Sequence, residues 1–195
     1  MSKLYFRYGA MNCGKTTALL QVAYNYEEKG KNIIILKPSI DKKGDKNIVS
    51  RLGIERKVDY LILPDDSILK KVKLKNIDCI LVDEVQFMSK DQIKELWIIA
   101  KIHNIPVICY GLKSNFKAEL FEGSKHIIAL ADELEELYTI CSCGKKARFN
   151  ARIINGKYVT EGDVVAIDGI DATYEPLCGK CYIEKILKYK EKNNS

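Results

Sequence analysis

The segment Gly9-Ala10-Met11-Asn12-Cys13-Gly14-Lys15-Thr16 constrains the fold more than any other part of the chain. It fits G-x-x-x-x-G-K-[ST] at every fixed position, and its flanks supply the context the pattern needs. Lys3-Leu4-Tyr5-Phe6-Arg7-Tyr8 before it reads as a short strand, and Thr17-Ala18-Leu19-Leu20-Gln21-Val22-Ala23 after it reads as the start of a helix. A strand that turns into a helix through glycines leaves backbone N–H groups pointing at one spot, where anionic oxygens are favoured. In such a loop Lys15 reaches the β- and γ-phosphates of a nucleoside triphosphate, and the Thr16 hydroxyl ligates Mg²⁺.

The rest of the first 140 residues continues the alternation. Asn32-Ile33-Ile34-Ile35-Leu36, Tyr60-Leu61-Ile62-Leu63, Ile77-Asp78-Cys79-Ile80-Leu81-Val82 and Pro106-Val107-Ile108-Cys109-Tyr110 are short, nearly continuous apolar runs. That is the pattern of strands buried on both faces of a parallel sheet. Helical stretches lie between them: one runs from Gly14 to Lys29 and stops at Gly30, another starts at the cap-like Ser89 and includes Gln92–Ala100. Strand and helix in alternation predict an α/β domain with right-handed crossovers. Pro38–Lys57 is polar and without a strong period, and reads as a mobile loop.

Near Tyr138 the pattern changes to short alternating pieces, Ala147–Ile153 and Asp163–Ile167, separated by turn signals at Asn155-Gly156 and Glu161-Gly162-Asp163. Residues 1–137 are therefore expected to form a nucleotide-binding domain. Residues 138–195 are expected to form a small β-ribbon domain ending in a helix. Seven cysteines in a chain expected to be cytoplasmic argue against a disulfide framework. Cys13, Cys79 and Cys109 are isolated, whereas Cys141-Ser142-Cys143 and Cys178-Gly179-Lys180-Cys181 form two close pairs. Two such pairs on two turns can supply four thiolates to a structural zinc ion that ties the intervening segment at both ends.

Ile80-Leu81-Val82-Asp83-Glu84 is an apolar strand ending in two carboxylates. At the carboxyl end of a parallel strand, side chains face the crevice where ligands bind. Asp83 suits Mg²⁺, which wants oxygen ligands, and Glu84 would orient an attacking hydroxyl or water. With some 140 residues in this domain, a small-molecule kinase fits better than a motor. The formal charge of +6 is spread over scattered lysines, several of them in the tail Lys185–Lys192, as on a solvated helix face. No apolar run approaches the roughly 18 residues a membrane span needs.

The chain resembles the thymidine kinases of the zinc-containing type, over nearly its whole length. The resemblance rests on the loop at Gly9–Thr16, on Asp83-Glu84-Val85-Gln86-Phe87, and on Tyr110-Gly111-Leu112 followed by Phe116 and Leu120-Phe121-Glu122-Gly123-Ser124. The paired cysteines flanking Asp168-Gly169 and Tyr174 complete it. It implies a P-loop parallel sheet with a small zinc-binding domain carrying a lasso loop. The implied reaction is ATP-dependent 5′-phosphorylation of thymidine to dTMP in nucleotide salvage, in a cytoplasmic homotetramer inhibited by dTTP, with no nucleic-acid or membrane partner.

Carried over by position, Glu84 resembles the family's catalytic base and Lys15 its phosphate-binding lysine. ATP and Mg²⁺ contacts fall on Gly9, Ala10, Met11, Asn12, Cys13, Gly14, Lys15, Thr16, Thr17, Asp83 and Gln86. Thymidine contacts fall on Phe87, Leu112, Phe116, Phe121, Asn150, Val165, Ile167, Gly169 and Tyr174. Zinc ligands fall on Cys141, Cys143, Cys178 and Cys181. Lys43 stands where the family usually has an arginine near the phosphate. Two other readings are a sister deoxynucleoside kinase and a nucleotide-gated module whose zinc ribbon contacts nucleic acid. The latter would use Lys145, Lys146, Arg148 and Arg152.

Overall fold

In a computed structural model describing residues 1–39, 47–164 and 172–188, the phosphate-loop motif follows strand β1 (Leu4–Tyr8) and leads into helix α1 (Lys15–Glu28). The chain then runs through β2 (Ile33–Pro38), β3 (Asn47–Val49), β4 (Glu55–Lys57), β5 (Tyr60–Ile62), α2 (Ile68–Lys71) and β6 (Cys79–Val82). After a single 3₁₀ turn at Val85–Phe87 come α3 (Lys90–Lys101), β7 (Val107–Gly111), α4 (Glu122–Leu130) and β8 (Glu133–Glu136). The C-terminal part holds β9 (Phe149–Ile154), β10 (Lys157–Val159), β11 (Ala172–Leu177) and α5 (Gly179–Lys185). Among the described residues no helix is long and apolar enough to cross a membrane.

These elements fall into two compact units. The first comprises Met1–Tyr8, Gly14–Lys113 and Phe121–Leu137; the second comprises Gly9–Cys13, Ser114–Leu120 and the chain from Tyr138 on. The first unit is built on a six-stranded sheet of order β5-β2-β6-β7-β1-β8. Every neighbouring pair is parallel, with Phe6 opposite Cys109 and Ile35 opposite Leu81. Successive side chains go to opposite faces of a strand. Thus Ile34, Leu36, Ile80, Val82, Val107 and Cys109 pack with Ile93, Leu96 and Ile99 of α3 and Ile127 of α4. Ile33, Ile35, Cys79, Leu81, Ile108 and Tyr110 pack with Leu19, Leu20 and Ala23 of α1. Both faces are covered, which explains why these strands read as continuous apolar runs.

Local signals account for the ends of elements. Ser89 caps α3 in a capping box: its hydroxyl accepts from Gln92 N at 3.3 Å, and Gln92 Oε1 accepts from Ser89 N at 3.1 Å. That satisfies two donors the helix start would otherwise leave open. Gly30 follows α1 at φ 69°, the left-handed conformation that ends helices most cheaply at glycine.

One part of the sequence reading needs correction, and one strand lies outside it. The expected loop over Pro38–Lys57 contains, beyond residues 40–46, the antiparallel hairpin β3–β4, anchored by Ile48 at 2% exposure in the α1-side core. Edge strand β8, Glu-Leu-Glu-Glu, has no apolar pattern at all. Its pairing with β1 is accompanied by ion pairs from Lys3 to Glu133 and from Arg7 to Glu135.

The second unit carries an antiparallel sheet of order β10-β9-β11. The Asn155-Gly156 turn between β9 and β10 has φ of 50° and 73°. Two left-handed residues in a two-residue hairpin loop are what asparagine and glycine accommodate. Its apolar core is small: Cys141, Ala147, Ala151, Leu177, Cys178, Tyr182 and Ile186, with Phe149 packed on Tyr182 at 4.9 Å between ring centroids.

Candidate active site

The phosphate loop bends through two left-handed residues, Asn12 at φ 67° and Gly14 at φ 78°, before Gly14 O accepts the first helical hydrogen bond from Ala18 N at 2.9 Å. Asparagine and glycine are the residues that enter this region at least cost. Lys15 and Thr16 thus stand on the first turn of α1, and Lys15 is buried.

In the first unit, Asp83 directly follows β6, with its N–H bonded to Leu36 O at 3.0 Å, which continues the β2–β6 pairing by one hydrogen bond. The Asp83 carboxylate is buried and comes within 3.4 Å of the Thr16 hydroxyl. A hydroxyl and a carboxylate facing each other at a strand end form the oxygen-rich set a Mg²⁺ ion takes while keeping part of its water shell. Glu84 follows at φ 52° and ψ 40°. A non-glycine residue in this conformation is strained, and surrounding structure must hold it.

That structure is visible. Gln86, 2% exposed, donates from its amide to a Glu84 carboxylate oxygen, while its own Oε1 accepts from Leu112 N at 3.0 Å. Leu112 O in turn accepts from Ser124 Oγ at 2.6 Å. A Cβ on Gly123 would lie 2.5 Å from Val85 O and 2.8 Å from both Gln86 O and Met88 O; one on Gly111 would lie 2.5 Å from Gln86 Oε1. The two glycines therefore let α4 and β7 close directly onto the turn that presents Glu84. Phe87, on the same turn, meets Phe121 edge to face at 5.6 Å and 82°.

Within the second unit Phe116 is buried, and the Arg152 guanidinium lies 4.1 Å from its ring centroid and 5.4 Å from that of Tyr174. Arg152 also donates to Tyr174 Oη at 2.9 Å and to the carbonyls of Asp163 and Val164 at 2.6 and 3.1 Å. At 4% exposure with these partners it is not an open phosphate contact, so the nucleic-acid reading loses one of its four basic residues. Asn150 is buried beside Met11 and Ser114.

The four paired cysteines converge: all four Sγ atoms lie within 4.8 Å of one another. A tetrahedral zinc with Zn–S bonds near 2.3 Å would set its sulfurs roughly 3.8 Å apart, and Cys143 Sγ to Cys178 Sγ is 3.5 Å. The tight Cys-Ser-Cys spacing thus still brings both its thiols to the cluster, and the four residues fit a metal ion. Burial, the largest single influence, works against ionisation of Cys141, but hydrogen bonds from the backbone N–H groups of Cys143 and Cys178 and from the side chains of Cys143 and Cys181 together bring the thiol down to about 6. Cys178 is also lowered, chiefly by the Cys181 N–H. Cys181, hydrogen-bonded by the neighbouring thiols of Cys143, Cys178 and Cys141, is pushed up to about 12.

Lys43, Val165, Ile167 and Gly169 lie outside the described residues. Sequence reasoning passed over the roles of Gly111, Gly123, Ser124 and Arg152. A glycine inside the first turn of a helix, as at Gly123, was the available signal, because glycine there needs a packing reason. Arg152 offered none, since a buried arginine reads like an exposed one.

A family model described as thymidine kinase matches residues 2–182. A thymidine kinase of Francisella tularensis subsp. holarctica (strain LVS) is 43% identical over 198 residues, covering 96% of this chain and 100% of that protein. One from Shewanella oneidensis is 44% identical over 191 residues, covering 95% and 99%. One from Lactiplantibacillus plantarum is 45% identical over 186 residues, covering 93% and 96%.

Proposed function

The chain belongs to the thymidine kinase family, and on that premise we propose that it transfers the γ-phosphoryl group of ATP to the 5′-hydroxyl of thymidine, giving dTMP for nucleotide salvage. The observation that carries this reading is the meeting of Thr16, Asp83 and Glu84 at the carboxyl end of β6, with Glu84 held by Gln86. Phosphoryl transfer passes through a loose transition state, so the protein's task is positioning and charge stabilisation. Gly9–Thr16 and Thr17 cradle the triphosphate, with Lys15 countering charge on its terminal oxygens. Thr16 and Asp83 hold Mg²⁺, which neutralises developing charge on the phosphates when bound. Glu84 accepts a hydrogen bond from the 5′-hydroxyl, keeps that oxygen in line, and takes its proton late in the transfer.

By the family resemblance, Phe87, Leu112, Phe116, Phe121 and Tyr174 are assigned to nucleoside contacts, as are Val165, Ile167 and Gly169. Cys141, Cys143, Cys178 and Cys181 hold a structural zinc: four thiolates leave no open position for catalysis. A homotetramer, feedback inhibition by dTTP and a cytoplasmic location belong to the same reading.

The test is ATP consumption across the four deoxynucleosides and uridine, with the product's phosphate position read by phosphorus NMR. Turnover with thymidine, or with thymidine and deoxyuridine, is expected. Turnover confined to purine or cytosine nucleosides would replace the substrate while leaving the kinase chemistry in place.

A further inference from the structure

Asn150 stands on β9, the central strand of the small sheet, and is 3% exposed. Its Oδ1 accepts from Met11 N at 2.7 Å, and its Nδ2 donates to Ser114 O at 3.2 Å. All three residues belong to the second unit. The orientation of the amide follows from its partners. A backbone N–H requires an acceptor and a backbone carbonyl a donor, so only one of the two flips satisfies both.

Met11 is the third residue of the phosphate loop, directly before Asn12, where the backbone enters its left-handed bend. The Met11 N–H is thus committed to a buried side chain just before the loop turns. The partner side chain stands on a strand paired on both sides, with Asn150 opposite Pro176 of β11 and Arg152 opposite Val159 of β10. A strand so paired is a rigid support, and a site needs its supporting shell locked to hold sub-ångström geometry.

We propose that Asn150 is a positioning residue for ATP, holding the first half of the phosphate loop in its binding shape through the backbone of Met11. The proposal gives Asn150 a different role from the nucleoside contact that its place in the sequence suggests. Its amide has one acceptor engaged by Met11 and one donor engaged by Ser114, so its hydrogen bonding is directed at the two backbone segments. It rests on the reading of Gly9–Thr16 as the triphosphate loop.

The test compares the wild-type protein, Asn150→Leu, Asn150→Thr and Lys15→Ala in the full chain. Affinity for a non-hydrolysable ATP analogue is read by calorimetry, KM for ATP and for thymidine by steady-state kinetics, and zinc content as the check on the second unit. Leucine has a similar volume and makes neither bond; affinity for the analogue should fall about tenfold, as for a buried backbone donor left unpaired. KM for ATP should rise in parallel, while KM for thymidine stays within about twofold. Asn150→Thr, whose one hydroxyl can accept from Met11 and donate toward Ser114, should recover at least about threefold of the loss.

A rise in thymidine KM with unchanged analogue binding would overturn the proposal, as would equal losses for both ligands. If Asn150→Leu loses its zinc, hydrogen exchange on the nucleotide-free wild-type protein decides. The Met11 amide should exchange slowly, and fast exchange would refute its bond to Asn150. Analogue binding unaffected by Lys15→Ala would instead remove the loop reading itself, a result separable from intact loop binding that is indifferent to Asn150.

Discussion

The two units meet the same requirement, holding loops still, by different means. In the first, six parallel strands are covered on both faces, and Phe6, Ile35, Leu81 and Val107 sit in full layers of aliphatic neighbours. In the second, the described residues of a three-stranded sheet bury Ala147, Ala151, Leu177, Tyr182 and Ile186 beside two of its own cysteines, with Phe149 and Tyr158 partly buried against them. Hydrophobic burial scales with size, and small units fall short of what folding entropy costs. Four thiols within 4.8 Å of one another are placed to supply a cross-link by holding a metal ion. The difference divides labour. The first unit carries Lys15, Asp83 and Glu84, whereas the second carries the first half of the phosphate loop, Gly9–Cys13, together with the Asn150 side chain that bonds to it.

The sharpest way to break this comparison is to remove the cross-link. A structural zinc contributes on the order of 10 kcal/mol of folding free energy to a small metal-dependent domain. Chelation, or Cys178→Ser, should therefore unfold β9, β10 and β11 while β1, β6 and β7 persist. Hydrogen exchange by mass spectrometry would show full deuteration of Phe149–Val159 with Cys79–Val82 still protected. Simultaneous loss of both regions would mean that the first unit does not stand alone.

A smaller effect tests the close packing of the first unit. Gly123→Ala forces a Cβ against three backbone carbonyls of the turn after Glu84, and overpacking of this kind costs about 1–3 kcal/mol. Because the strain falls on the turn that carries Glu84, kcat should drop more than either KM rises. A variant with a lowered urea midpoint and unchanged kcat would separate the packing from the chemistry.

The smallest effect concerns the sheet edge. Asp132 accepts from Leu4 N at 2.8 Å and is gripped by Lys101 at 2.6 Å. The Lys101 ammonium, chiefly, holds its carboxyl below the usual carboxylate range, against the opposing pull of desolvation. A carboxyl depressed in the folded state stabilises above its unfolded pKa, and that contribution is lost as pH falls through the folded value. Asp132→Asn should lower Tm slightly at pH 7 and flatten the acid limb of stability against pH. An unchanged acid limb would show that the ion pair contributes nothing measurable, as many exposed pairs do.

Much of the first unit was legible because its physics is local or repetitive. Strands buried on both faces write continuous apolar runs, and Ser89 with Gln92 writes a helix start. The loop of Gly9–Thr16 writes its own turn, because only certain residues enter left-handed backbone. Edge strand β8 was not legible, since Glu133–Glu136 is held by pairing with β1 and by basic partners far away in sequence. The β3–β4 hairpin hid behind polar residues, held by Ile48 in the core and by the ion pair of Arg56 with Glu27. In the candidate site, Asp83 and Glu84 could be read from their place after a strand. Gln86 was placed with the nucleotide, and its bridge from Glu84 to Leu112 emerges only when β7 lies beside the turn. Arg152 and Asn150 likewise act through partners that folding brings from remote segments, and no spacing rule encodes those.

The role proposed for Glu84, on the first unit, is to drive transfer to the nucleoside hydroxyl. It is tested most directly by Glu84→Gln, with binding and turnover measured on the same preparation. The amide keeps the size and one acceptor oxygen but cannot take the proton, so turnover should fall by about 10²–10⁴. ATP and thymidine should bind with constants within about threefold of wild type, since ground-state contacts are kept while transition-state stabilisation is lost. Turnover within a few-fold of wild type would contradict the account and remove Glu84 from the proton transfer.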